Sequence, residues 1–153
     1  MDLENKIIAA TRDVFETMVM HEALPGEPLP AGLAISCGLS ALLGLAGDLR
    51  GTLALHWPWP AAVDITGRLL GEENDYPVEE VADAMAEIVN MVAGGIKTAF
   101  GTEGKTLELA VPSTVTGRSF TVRSSRSVEH LVVPFKMAKG EFWVELKFLS
   151  ASR

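Results

Sequence analysis

The stretch "DAMAEIVNMVAGGIKTAF", Asp83 to Phe100, decides the fold because it reads as one long helix with a single buried side. Placed at about 100° per residue, Val78, Val81, Met85, Ile88, Val92 and Ile96 form one apolar stripe. On the opposite side Asp83, Glu87, Asn90 and Gly94 fall within roughly 60° of one another, and Lys97 and Glu80 border the same arc. Small residues flank it: Ala86, Ala93 and Thr98. The spacing predicts a helix from about Val78 to Ala99 that lies on a core and turns its polar arc to solvent. Two central glycines cost about 1 kcal/mol each relative to Ala in a helix interior, and Asn competes with helix by bonding to nearby backbone. A merely solvated face gains nothing from Gly94 and Gly95; a face that another molecule approaches closely does.

Upstream, Leu3 to Met20 places Ile7, Ile8, Thr11, Val14, Phe15, Met18 and Val19 at helical spacing, an amphipathic first helix. The prolines and glycines of "LPGEPLPAG" (Leu24 to Gly32) end it. Leu33 to Ala46 and Thr52 to Trp57 read as strands joined by the hairpin connection "GDLRG", and Pro60 to Gly71 reads as a short helix with proline in its first turn. Beyond Gly104 the pattern is strand-like. It runs through "KTLELAV", a turn around Pro112 to Gly117, "SFTVRS", and a hairpin of "HLVVPFKM" and "EFWVELKFL" closed by "AKG". The expected architecture is α+β, one domain over residues 1–153, with helices covering one face of a largely antiparallel sheet.

Composition narrows the class. The chain has 153 residues, 48% hydrophobic and 22% charged, which is ordinary globular material with enough length for one core. The weakly charged run "PAGLAISCGLSALLGLAG" is too interrupted for a membrane span, and "MDLENK" is not a signal-peptide start. A single cysteine, Cys37, cannot form an internal disulfide, so a cytoplasmic home is expected, with Cys37 as a small buried hydrophobe. The net charge of −7 argues against nucleic acid. The one arginine-rich segment, "GRSFTVRSSR" (Gly117 to Arg126), reads as a solvated loop or edge strand.

The polar arc limits the chemistry available. An amide is no general base, yet Asn90 can donate and accept hydrogen bonds at once and so orient a water. An exposed Glu87 stays ionised and suits pairing with a partner's Lys or Arg. Carboxylates and an amide without His or Cys make a poor metal site, and no Ser or Cys nucleophile with a His partner stands in the strip. Such residues suit positioning chemistry at a partner's reactive centre, although Asp, Glu and Asn on a solvent face are often merely solvated.

The arrangement "DAMAEIVNMVAGG" resembles the motif of the CheX and CheC proteins of bacterial chemotaxis, and "EIVNMVAGGIK" is especially close to the CheX form. The resemblance extends over most of the chain, through "VFETM", "GDLRGTLAL", "ITGRLLG" and "VPSTVTG". It implies a CheC-like fold, an antiparallel sheet covered on one face by two long helices. It also implies a phosphatase acting on the aspartyl phosphate of the response regulator CheY. Carried onto this chain, Asn90 would enter the regulator's active site and align the attacking water, and Glu87 would pair with the regulator's lysine. Asp83 matches the start of the family's motif and Gly94 its close-packing position, neither directly catalytic; with Met91, flexible beside Asn90, and Lys97 at the border of the arc, they are the expected partner contacts. Mg²⁺ would be held by the regulator, with no cofactor or metal of the chain's own. The first helix, with "RDVFETMV", lacks a Glu and Asn pair, which points to the single-site CheX type. That type resembles a homodimer built by sheet pairing, with late strands supplying the edge.

Two other functions compete: a non-catalytic module docking on a receiver domain or flagellar switch component through the same helix, and a small-molecule sensor. Elsewhere, "HWPWP" (His56 to Pro60) reads as a strand end turning into a helix with aromatic packing, and His21 and His130 stand isolated without ligand spacing. The methionines Met18, Met20, Met85, Met91 and Met137 fall mostly at core positions.

Overall fold

The computed structural model describes residues 2–30, 32–72, 74–123 and 129–150. Helix α1 spans Asp2–Val14 and runs on as a π-helical turn over Phe15–Val19. The strands are β1 (Leu24–Pro25), β2 (Ile35–Gly47), β3 (Leu49–Trp57), β4 (Leu107–Leu109), β5 (Ser113–Val122), β6 (Glu129–Met137) and β7 (Gly140–Ser150). Helices α2 (Trp59–Leu70) and α3 (Val78–Thr102) lie between β3 and β4. All pairings are antiparallel, in the order β1, β6, β7, β3, β2, and β2 then takes both β4 and β5 along its outer side. The α+β architecture expected from sequence is the one observed.

Alternation explains the layering. Leu39, Ala41, Leu43 and Leu45 of β2, Leu53, Leu55 and Trp57 of β3, and Phe142, Val144 and Leu146 of β7 turn to one face and join the core with Ile7, Val14 and Phe15 of the α1 segment and the stripe of α3. Phe142 is the centre of an aromatic stack, with ring centroids 4.8 Å from Phe15, 5.3 Å from Phe135 and 6.2 Å from Trp57. The "HWPWP" segment does make the strand-to-helix corner: Pro58 caps α2 and Trp57 is buried in the stack.

Several boundaries differ from the sequence reading. Helix α1 loses α-helical hydrogen bonding at Val14, and the π-turn leaves Met18 and Met20 exposed (47% and 74%) rather than in the core. Most of the expected turn from Pro112 to Gly117 is instead strand: Ser113 to Gly117 form the first half of β5, because Ser113 to Thr116 pair with Leu42 to Leu39 of β2. Within "LPGEPLPAG", Leu24 and Pro25 add a short strand to β6. Val78, assigned to the apolar stripe, is 47% exposed because it opens α3 before the helix reaches the sheet. Gly117 to Val122 forms part of an exposed edge strand as the bland reading held, Arg118 and Arg123 are exposed, and Arg126 lies outside the described residues.

Candidate active site

Helix α3 holds the site residues on a rigid support. Its buried face comprises Val81, Ala84, Met85, Ile88, Val89, Val92, Ala93, Ile96 and Phe100, and Pro77 caps its start, where Glu79 and Glu80 complement the helix dipole. The opposite arc carries Asp83, Glu87, Asn90 and Lys97, all exposed, with Met91 and Gly94 half-buried beside them. Three residues apart on one face, Glu87 and Asn90 stand about 4.5 Å apart along the helix axis. Among the described residues, no hydrogen bond or ion pair engages the side chain of Asp83, Glu87, Asn90 or Lys97. Their donors and acceptors are free for an incoming molecule.

The two glycines separate into different tasks. A Cβ on Gly94 would meet nothing within 4 Å, so this position is open to a visitor. A Cβ on Gly95 would stand 2.9 Å from Ala10 Cβ, so Gly95 serves the internal crossing of α1 on α3, and its cost is a packing requirement rather than a docking one. Thr98 Oγ1 donates to the Gly94 carbonyl at 3.1 Å, which occupies the backbone acceptor at the open spot.

The arc is convex. A groove of about 930 Å³ lies elsewhere, lined by Val19, Met20, Pro60, Asp64, Arg68 and Lys139 among others, and no residue of the arc lines it. A convex helix ridge suits a protein surface better than a small molecule. Among the described residues, no group of three His, Cys, Asp or Glu side chains is arranged to hold a metal ion.

A second polar cluster escaped the sequence reading. On the sheet face turned away from the core, buried Ser40 Oγ is hydrogen-bonded to His56 Nδ1 at 2.6 Å, and His56 Nε2–H donates to Glu145 Oε1 at 2.7 Å. His130 Nε2 reaches the other oxygen of the same carboxylate, so His56 and His130, distant in sequence, share one partner. Cys37 Sγ lies 3.5 Å from Ser40 Oγ, and burial pushes its thiol above the ordinary range. The hairpin of β6 and β7 signals part of this in sequence, but the contribution of β3 depends on strand order.

Residues 39–136 match the family model described as chemotaxis phosphatase CheX. The chain belongs to the CheX family of chemotaxis phosphatases. It is 23% identical over 122 residues to the "CheY-P phosphatase CheX" of Thermotoga maritima, covering 78% of this chain and 79% of that protein. The crystal structure of a chemotaxis protein CheX from Desulfovibrio desulfuricans superposes with a TM-score of 0.89 at 25% identity, covering 97% of this chain and 100% of that one. A CheX in complex with CheY, BeF3 and Mg²⁺ from Borrelia burgdorferi shares the fold, with a TM-score of 0.79 at 24% identity over 96% of this chain and 97% of that one. The CheX resemblance drawn from the helix motif and the CheC-like fold it implied are therefore both found.

Proposed function

We propose that this chain dephosphorylates the aspartyl phosphate of a CheY-like response regulator, using the arc on α3. The observation that carries the reading is the pair of uncommitted polar side chains, Glu87 and Asn90, one turn apart on a rigid and convex helix. The Thermotoga relative named for CheY-P hydrolysis and the Borrelia CheX crystallised with CheY support the choice of substrate. Asn90 enters the regulator's site, and its amide oxygen accepts a hydrogen bond from the attacking water. The water oxygen bonds to phosphorus as the bond to the aspartyl oxygen breaks, releasing inorganic phosphate and a free carboxylate. Glu87 pairs with the regulator's lysine, while Asp83, Met91, Gly94 and Lys97 contact its surface. Mg²⁺ would be held by the regulator, since two carboxylates and an amide on this arc, Asp83, Glu87 and Asn90, without His or Cys beside them, suit only a weak hard-cation site.

We place the protein in the cytoplasm, on the ground of its single cysteine, Cys37, which can form no internal disulfide. Among the described residues, no helix is long and apolar enough to cross a membrane. It forms a homodimer through the open edge of β5, a ten-residue strand that is mostly exposed. The test is to mix the full chain with a phosphorylated CheY-like receiver and follow phosphate loss. Acceleration over the receiver's own decay is the expected result. Binding without acceleration supports a non-catalytic docking module instead.

A further inference from the structure

Helix α1 runs antiparallel beside α3, and three contacts set the alignment. Lys6 Nζ donates to Glu103 at 2.8 Å and lies 5.9 Å from the Phe100 ring centre, and Ala10 packs against Gly95. Helical spacing places Asp13 within about 60° of both Lys6 and Ala10, one turn further along α1. With the helices antiparallel, that step brings Asp13 level with Met91, beside Asn90. Ala9, small and exposed, lies on the outer side of the same ridge. The crossing at Ala10 and Gly95 is too close to leave a groove between the helices, so a protein surface resting on Asn90 and Gly94 also meets Ala9 and Asp13.

We infer that the docking face continues from α3 onto α1, with Asp13 a specificity-determining residue that selects regulators whose surface beside the phosphorylated aspartate is basic. The inference rests on the phosphatase reading above. Asp13 is exposed and has no ion pair among the described residues, and Thr17 Oγ1 donates to its backbone carbonyl rather than to its carboxylate. The joint platform carries Asp13, Glu80, Asp83 and Glu87 against Lys97 and, on the outer side of α1 beyond Ala9, Arg12, so carboxylates outnumber cations there, while the charge of Lys6 is occupied by Glu103. Charge complementarity therefore calls for cationic groups on the face that lands there.

The test compares steady-state dephosphorylation of a CheY-like receiver by the wild type, Asp13→Lys and Glu108→Lys. Glu108 is exposed on β4 next to core-facing Leu107, so it points to the opposite side of the sheet and controls for net charge alone. The expected result is a KM raised about five- to tenfold by Asp13→Lys at low salt, kcat within about twofold, and a difference that shrinks in high salt. Glu108→Lys leaves KM within about twofold. An unchanged KM in Asp13→Lys, or an equal rise in Glu108→Lys, overturns the inference. Absence of turnover in the wild type would instead defeat the phosphatase reading. In that case the affinities of the three proteins for a BeF3-activated receiver still decide the docking face, by the same pattern.

Discussion

Gly94 and Gly95 stand side by side yet predict opposite outcomes. Gly94→Ala adds a methyl group into open space and should raise stability by about 0.5–1 kcal/mol through helix propensity. On the docking proposed above it should also lower kcat/KM at least about tenfold, because that reading brings the regulator close to this backbone. Gly95→Ala drives a methyl group into Ala10 and should cost about 1–3 kcal/mol, read as a drop in the unfolding midpoint. A Gly94→Ala protein that is stabilised and fully active would remove the docking role of that position. At this scale the sequence was informative where helical period alone decides, as for Asp83, Glu87, Asn90 and Lys97. It could not tell the two glycines apart, since only the position of α1 makes one of them a packing residue.

Among the elements, the four central strands are tied by Ser40, His56, Glu145 and His130 on the face away from the core. Glu145→Ala should cost about 3 kcal/mol, because it strands the buried imidazole of His56 and the half-buried one of His130, and should leave the kcat of the folded protein unchanged. Chemical denaturation alongside the phosphatase assay separates the two effects. Lys6, within α1, is joined to Glu103 at the C-cap of α3, and the hydrogen bond from Lys6 holds the Glu103 carboxyl below its ordinary range. A depressed carboxyl pKa stabilises the fold above the ordinary carboxylate range and loses that contribution as pH falls through the folded value. Glu103→Gln should therefore flatten the acid limb of the stability profile slightly and leave the neutral-pH assay untouched. Strand alternation made β2, β3, β6 and β7 readable from their apolar period. The first half of β5 was hidden because its proline- and threonine-rich lead-in resembles a turn, and only pairing to β2 makes it a strand. The π-turn at Phe15 was equally invisible, since it shifts the register of the first helix without altering its composition.

For the whole molecule, the long open edge of β5 predicts assembly. The wild type should sediment as a dimer, and Val115→Lys, which places a charge at an exposed position of that edge, should yield monomers. A wild type that stays monomeric at assay concentrations would contradict sheet-edge pairing. Overall topology was only partly legible. The alternation of helices and strands indicated a layered α+β unit, whereas the sharing of β2 between β4 and β5 is a long-range arrangement that no local period encodes. The account turns on Asn90, whose exposed amide has no structural partner among the described residues and whose removal should spare both fold and docking. The most direct measurement is phosphate release from a phosphorylated CheY-like receiver by Asn90→Ala, with its affinity for the BeF3-activated receiver determined in parallel. The account predicts a kcat lowered about 100-fold with affinity nearly unchanged. A variant that releases phosphate as fast as the wild type would contradict it.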